Sequence, residues 1–197
     1  MELVSDLQTY QALLAQPSSW GDILPDAPAF AEFFDELVRF SSLRFAGFLP
    51  SKIGALKRLY RRTVALMGRP AIKVKFHLVR AGHTYMLDSG EVHFCKQFLF
   101  STPFEKNVAM ALHELAHVYL SGLEGYAQLL ALDSEFVDYL KSPSQTVIAP
   151  VEFYANILAN RWLAAVVERL PNRQRALALE AEIALVQEKL AKAIEQL

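Results

Sequence analysis

Two histidines and a glutamate occupy the spacing His-Glu-x-x-His at residues 113–117. On an α-helix, His113 and His117 stand one turn apart on the same face, so both imidazoles can reach a single metal ion. Glu114 projects about 100° further round the helix, where its carboxylate can approach a metal-bound water without taking a coordination position. The spacing therefore predicts a zinc site in which Glu114 acts as the general base.

An accidental match is a poor explanation of this pattern. The chain has 5 histidines, and about 0.01 His-Glu-x-x-His patterns are expected by chance in a chain of this composition. The other interpretation is a helix with two core histidines that are satisfied by hydrogen bonds. Without a metal, two imidazoles and a carboxylate must then be buried at a high desolvation cost. We therefore favour a metal site.

One helix must hold this pattern, and its sequence marks both ends. We expect Thr102 as the N-cap, Pro103 at the first helical position and Glu105 as the partner in a capping box. The helix should run to about Ser121, with Gly122 as its C-terminal stop. Apolar residues surround the two histidines, which predicts a central and largely buried helix.

The spacing of apolar residues along the chain changes in the segment before this helix. Residues 72–79 alternate apolar and polar, and two further short runs, 83–87 and 91–98, are separated by turn sequences. Short loops between consecutive strands are typical of hairpins, so the sequence predicts a three-stranded antiparallel meander. The predicted fold class is α+β, mainly helical, with this small antiparallel sheet preceding the helix of residues 113–117.

The remaining segments are predicted to be helical. Residues 1–67 should form helices separated by turns, residues 70–170 a core, and residues 172–197 a C-terminal helix. A chain of 197 residues predicts a single domain, 1–197. The apolar residues of the last helix span barely three heptads, so packing against the body is favoured over a homodimer through this helix.

A catalytic zinc needs three protein ligands and an open position for water. The metzincin extension of this pattern would require glycine at 120 and histidine at 123, where the chain has Leu120 and Leu123. The gluzincin arrangement instead takes a glutamate from a second helix downstream. Glu152 opens a predicted helix that begins at Pro150 and ends before Pro171.

The residues that follow Glu152 suit such a role. Ala155 and Ala159 give the second helix a face of small residues, which allows a close approach to its neighbour. Asn156 lies one turn from Glu152 on the same side and can support the ligands by hydrogen bonding.

A short sheet, a His-Glu-x-x-His helix and a second helix opening Glu-x-x-Ala-Asn together resemble the gluzincin metallopeptidases, particularly the ImmA/IrrE-type and minigluzincin proteins. The resemblance covers about residues 70–165 and implies a zincin-like fold. It implies His113, His117 and Glu152 as ligands of Zn²⁺, and Glu114 as general base in the hydrolysis of a peptide bond. The implied partner is a selective protein or peptide substrate. Tyr154, Tyr119 and His93 are candidates for stabilising the oxyanion.

Several alternatives remain open at this point. Glu124, Asp133 and Glu135 are other candidates for the third ligand. Cys95 is a further one, because peptide deformylases add a cysteine from an earlier strand, although the sequence around Cys95 differs from theirs. The rival function is a regulatory or binding protein that retains a zincin fold and metal site with little proteolysis. A third possibility is a latent protease that is blocked by its own terminal helix.

Composition and charge limit the other function classes. The formal net charge is -1 and charged residues make up 21% of the chain, so neither nucleic acid nor an anionic membrane is an expected partner. The start of the chain lacks the pattern of a signal peptide, and Cys95 is the only cysteine, which together predict a cytoplasmic protein. We expect a solvated face for the basic residues of the third predicted helix, which are Lys52, Lys57, Arg58, Arg61 and Arg62.

Overall fold

A computed structural model describes residues 3–16, 31–43, 49–78, 84–86, 89–139 and 148–195. These ranges contain helices α1 to α8 and strands β1 to β3. In chain order they are α1 Leu7–Leu14, α2 Ala31–Ser41, α3 Leu49–Leu66, β1 Lys73–His77, β2 Thr84–Met86, β3 Glu91–Cys95, α4 Lys96–Ser101, α5 Phe104–Leu120, α6 Tyr126–Tyr139, α7 Pro150–Arg169 and α8 Arg173–Ile194. The mainly helical structure with a small sheet agrees with the predicted α+β class.

The sheet has the strand order β1-β3-β2. β2 pairs antiparallel with β3, with Tyr85 opposite Val92, as a hairpin requires. β1, however, pairs parallel with β3, with Val74 opposite Val92. The predicted three-stranded antiparallel meander is therefore wrong, because the first strand does not pair with the second. The expected turn at 81–83 lies outside the described residues.

Burial explains why β3 takes the central position. Val92 and Phe94 on one face of β3 are fully buried, and His93 and Cys95 on the other face are nearly so. β1 instead alternates between exposed and half-buried side chains, with its lysines exposed, as an edge strand does. The third strand is also shorter than predicted, because residues 96–98 belong to α4.

The helix with the two histidines, α5, begins one residue later than predicted. Pro103 occupies the N-cap position and makes no side-chain capping bond. The hydroxyl of Thr102 instead donates to the Phe98 carbonyl oxygen at 2.8 Å, which links the end of α4 to the start of α5. Glu105 forms an ion pair with Arg175 of α8 in place of the expected capping box. The C-terminal end at Ser121 agrees with the prediction.

α5 lies in the middle of the core and packs against α7 and α8. The face of α7 that turns inward includes Trp162, which is fully buried and makes edge-on ring contacts with Phe33 and Tyr119. One apolar cluster runs from Leu3 through α5 and α7 to Leu190 in α8. These contacts fix the relative position of the two helices that carry the predicted metal ligands.

α8 packs against the body of the protein, as favoured from the sequence. Leu179 and Leu190 are buried there, and the Asn160 side chain donates to the Ile183 carbonyl oxygen at 3.5 Å. A homodimer through this helix stays a prediction. None of the described helices combines the length and apolar character needed to cross a bilayer.

The basic face predicted on α3 is not uniformly solvated. Lys52 is buried, and its Nζ atom donates to the Leu99 carbonyl oxygen at 2.7 Å. The prediction for this residue is therefore wrong, since its ammonium joins α3 to α4. Arg58 and Arg61 are exposed, as expected.

Candidate metal centre

The structure brings the three predicted ligands together. The Nε2 atoms of His113 and His117, both on α5, lie 3.1 Å apart. The two carboxylate oxygens of Glu152, in the first turn of α7, lie 3.2 Å from the Nε2 atoms of His113 and His117 respectively. His117 is buried, His113 is half-buried and Glu152 is exposed. The donor atoms therefore form a compact triangle with access from one side.

The size and chemistry of this triangle fit a zinc ion. Its donor atoms all lie within 4.8 Å of one another. Atoms bound at about 2.0 Å to a tetrahedral zinc are about 3.3 Å apart, which is close to the observed separations. Two imidazoles and one carboxylate are a common ligand set of catalytic zinc, and they leave a fourth position for water or substrate. The residues therefore fit the predicted metal.

Hydrogen bonds at the start of α7 hold Glu152 in place. Asp133 of α6 accepts a bond from the backbone N–H of Val151 through its Oδ1 atom at 2.8 Å. Ala149 occupies the N-cap position of α7 and provides no side-chain cap. Asp133 therefore satisfies an N–H group that the helix itself leaves unpaired. This role has no signal in the sequence, because the cap comes from another helix.

Asn156 supports both kinds of ligand. Its Nδ2 atom donates to the backbone carbonyl oxygen of Glu152 at 2.8 Å. Its side chain also contributes to raising the pKa of His113, which shows that it lies close to that imidazole. The supporting role predicted for Asn156 thus agrees with its contacts.

The charges of the site favour a negative Glu152 and a positive His113. Burial lowers the pKa of His113, but hydrogen bonds and the charges of Glu152 and Glu114 outweigh it and raise that pKa above its usual value. Burial raises the pKa of Glu152, and the hydrogen bonds to His113 and His117 more than reverse this, so the pKa lies well below its usual range. The same arrangement of one anion and two imidazoles suits a divalent cation.

Glu114 lies in a dry part of α5 next to the ligand pair. Its side chain is 4% exposed. Tyr60 lies near Glu114. Burial, together with the charge of Glu114, raises the pKa of the Tyr60 hydroxyl. That hydroxyl donates to the carbonyl oxygen of Ala111 at 2.7 Å. A carboxylate one residue from His113 lies in the position that a general base for a metal-bound water needs.

The candidates for oxyanion stabilisation have structural contacts instead. The hydroxyl of Tyr154 accepts a bond from the Val4 backbone at 3.3 Å, and Tyr119 packs edge-on against Trp162. His93 lies between His77 and Glu91, at 2.7 Å and 3.0 Å, in the sheet. A role of Tyr154, Tyr119 or His93 in oxyanion stabilisation stays a prediction.

The alternative third ligands do not join the triangle. Within the described ranges, the group of metal-binding side chains around His113 contains Glu152 but none of Glu124, Asp133, Glu135 and Cys95. Asp133 still contributes to the site, because it caps the helix that presents Glu152. Burial raises the pKa of Asp133 to about 6, the Val151 N–H opposes this shift and the charge of Glu152 adds to it.

A cavity of about 650 Å³ opens beside the triangle between α5, α7 and α8. His113 and Glu152 line it, together with Asn156. Most of the remaining lining is apolar and comes from all three helices. A ligand in this cavity is therefore in contact with the metal centre.

Comparison with known proteins gives no relative. A scan against protein-family models finds no match to the chain, and searches of curated proteins and of solved structures also find none. The likeness to gluzincins therefore rests on the residue pattern, and the fit of the site to zinc rests on the geometry described above.

Proposed function

We propose that this protein is a zinc-dependent metallopeptidase that hydrolyses peptide bonds of a selective protein or peptide substrate. The observation that carries the proposal is the convergence of His113, His117 and Glu152 from two helices, with the buried carboxylate of Glu114 on the same turn as the histidines. A helix with a purely structural role requires none of these polar groups. A resident zinc explains all four of them.

The proposed role of each side chain follows from its position. His113, His117 and Glu152 would hold zinc, which when bound would supply Lewis-acid chemistry toward a water and the carbonyl group of the scissile bond. Glu114 takes a proton from the attacking water and passes it to the nitrogen of the leaving amine. His113 and His117 are rigid ligands because α5 is packed on several sides, while Asn156 orients His113 and the backbone of Glu152.

The sheet offers a place for an extended substrate. β2 lies at one edge of the sheet, pairs with β3 within the described part of the chain, and contacts α5. A peptide that pairs with such an edge is held by main-chain hydrogen bonds. This favours a substrate segment that is extended when bound, and we propose β2 as the strand that it joins.

A second candidate function is binding or regulation without proteolysis. The presence of Glu114 argues against it, because metal binding by His113, His117 and Glu152 does not require a buried carboxylate beside them. The cytoplasm is the proposed location, and the free thiol of Cys95 suits its reducing conditions.

The proposed function is tested by cleavage of a complex peptide mixture. Zinc-loaded wild-type protein should generate new peptide termini that mass spectrometry detects, and a chelator should suppress them. Glu114→Gln protein with the same zinc content is the matched control. Cleavage that persists in the Glu114→Gln protein overturns the proposal.

A further inference from the structure

The cavity beside the metal centre combines an apolar lining with positive charge. Its apolar side chains come mostly from α5, α7, α8 and the segment before α7, and include Met110, Ile148, Leu163, Leu185, Val186 and Leu190. These side chains leave enough room for a large aliphatic or aromatic group. Such a group is stabilised there because its apolar surface is removed from water.

Lys106 lies in this cavity on the same stripe of α5 as His113. The two residues are separated by seven positions, which corresponds to about 10 Å along the helix. Lys106 is half-buried, and its ammonium lies 5.7 Å from the centre of the Phe98 ring. Within the described residues it makes no ion pair with a carboxylate. A half-buried cation of this kind favours an anionic group in the ligand.

The other charges of the cavity leave it with an excess of cations. Lys189 of α8 lines the cavity and is likewise absent from the ion pairs of the described chain, whereas Lys192 is paired with Glu188. Glu182 is the acidic lining residue apart from the ligand Glu152. Lys189 is exposed to solvent, so the half-buried Lys106 is the lining cation that we assign to a ligand carboxylate.

We propose that the cavity selects a peptide with a large apolar residue next to the scissile bond and a carboxylate about three residues further along. An extended peptide advances about 3.3 Å per residue, so three residues span the distance from His113 to Lys106. The carboxylate belongs either to an acidic side chain or to the end of the peptide chain, since both have the same chemistry. Residues of α5 and α8 thereby determine substrate specificity together. This inference rests on the proposed function in that it takes the ligand to be a peptide.

Binding to an inactive holoprotein tests the inference without requiring turnover. The probe is a set of fluorescent hexapeptide mixtures, with leucine or serine at one fixed position and aspartate or asparagine one to four positions later. Each mixture is made with a free or an amidated C-terminus. Binding to zinc-loaded Glu114→Gln protein is measured by fluorescence anisotropy. Peptides with leucine should bind at least about tenfold more tightly than those with serine, and peptides with a carboxylate at least about tenfold more tightly than those with an amide. A loss of this size is expected when one charged contact or one apolar group is removed.

Second substitutions assign the two preferences to their residues. Lys106→Gln should remove the preference for the carboxylate and keep that for leucine, whereas Lys57→Gln, outside the cavity, should change neither. Leu185→Ser should reduce the preference for leucine. Leu177→Ser is its control, because Leu177 is similarly exposed on α8 (49%, against 41% for Leu185) but does not line the cavity. The free and amidated peptides distinguish a chain terminus from an acidic side chain.

The outcomes separate this inference from the proposed function. Equal binding of acidic and neutral peptides, or a preference that survives Lys106→Gln, overturns the inference even when the wild-type protein cleaves peptides. Selective binding that Lys106→Gln abolishes supports the inference. If Lys106→Gln abolishes selective binding but the wild-type protein has no peptidase activity, the proposed function is wrong and the peptide-binding site is supported.

Discussion

Asp133 accepts a hydrogen bond at 2.8 Å from the backbone N–H of Val151, and so one helix caps the next at the residue that precedes Glu152. Loss of this bond should destabilise the protein by about 1 kcal/mol, as loss of an N-cap does. Asp133→Ala should also weaken zinc binding by about tenfold, since supporting residues of a metal site have effects of that order.

Denaturant unfolding and a zinc competition titration measure these two effects. Asp133→Asn keeps an acceptor oxygen and should retain most of the zinc affinity. Ser134→Ala, at the exposed neighbouring position, is the control. Zinc affinity that is equal in Asp133→Ala and wild-type protein contradicts this role.

Glu152 is the ligand that joins α7 to the histidines of α5. Glu152→Ala should reduce zinc affinity by more than about 100-fold, because it removes a direct ligand. Loss of a group that only supports a ligand already reduces metal affinity by about 10–100-fold. Glu168→Ala, on the exposed side of the same helix, should leave the affinity unchanged. Metal analysis after dialysis against a weak chelator gives the comparison. Full zinc content in Glu152→Ala would move the third ligand to another residue.

Glu114 should affect turnover but not metal binding. Glu114→Gln is nearly isosteric, so the fold and the zinc content should be preserved. The loss of the proton acceptor should lower kcat by about 100-fold or more, in line with general-base catalysis. Glu124→Gln, at an exposed site, is the control for removal of one negative charge. A zinc-loaded Glu114→Gln protein with normal kcat is incompatible with a role as general base.

Zinc should stabilise the folded chain without being required for folding. The carboxylate oxygens of Glu152 lie 3.2 Å from the Nε2 atoms of His113 and His117, so the polar groups of the site have partners without the ion. Free zinc at 100 times its Kd adds about 2.7 kcal/mol, which corresponds to a rise in Tm of about 5–10 °C for a chain of this length. Differential scanning calorimetry with and without zinc measures the shift. His117→Ala should lose most of it, and a full shift in that variant would place the ion elsewhere.

The helical parts of the fold were predictable because their signals are local. Pro150 and Pro171 mark the ends of α7, and Asn172 caps α8 through a side-chain bond to the Arg175 N–H at 3.1 Å. The spacing of His113 and His117 on α5 is equally local. Zinc chemistry calls for a third ligand, and the resemblance to gluzincins implied Glu152 for that position.

The sheet and the supporting contacts depend on distant residues. The parallel pairing of β1 with β3 follows from burial of both faces of β3, which loop lengths do not encode. The cap on Val151 comes from Asp133, and Lys106 becomes part of a cavity only when α8 packs against α5. These relationships arise only when separate helices are brought together.

The most direct test of the metal centre is zinc K-edge X-ray absorption of the zinc-loaded protein. We predict one zinc per chain with two imidazole nitrogens and carboxylate or water oxygen at about 2.0–2.2 Å. The same measurement on Glu152→Ala protein should show the loss of one protein oxygen ligand. A sulfur neighbour at about 2.3 Å would identify Cys95 as a ligand, and a shell without two imidazoles would contradict the assignment of His113 and His117.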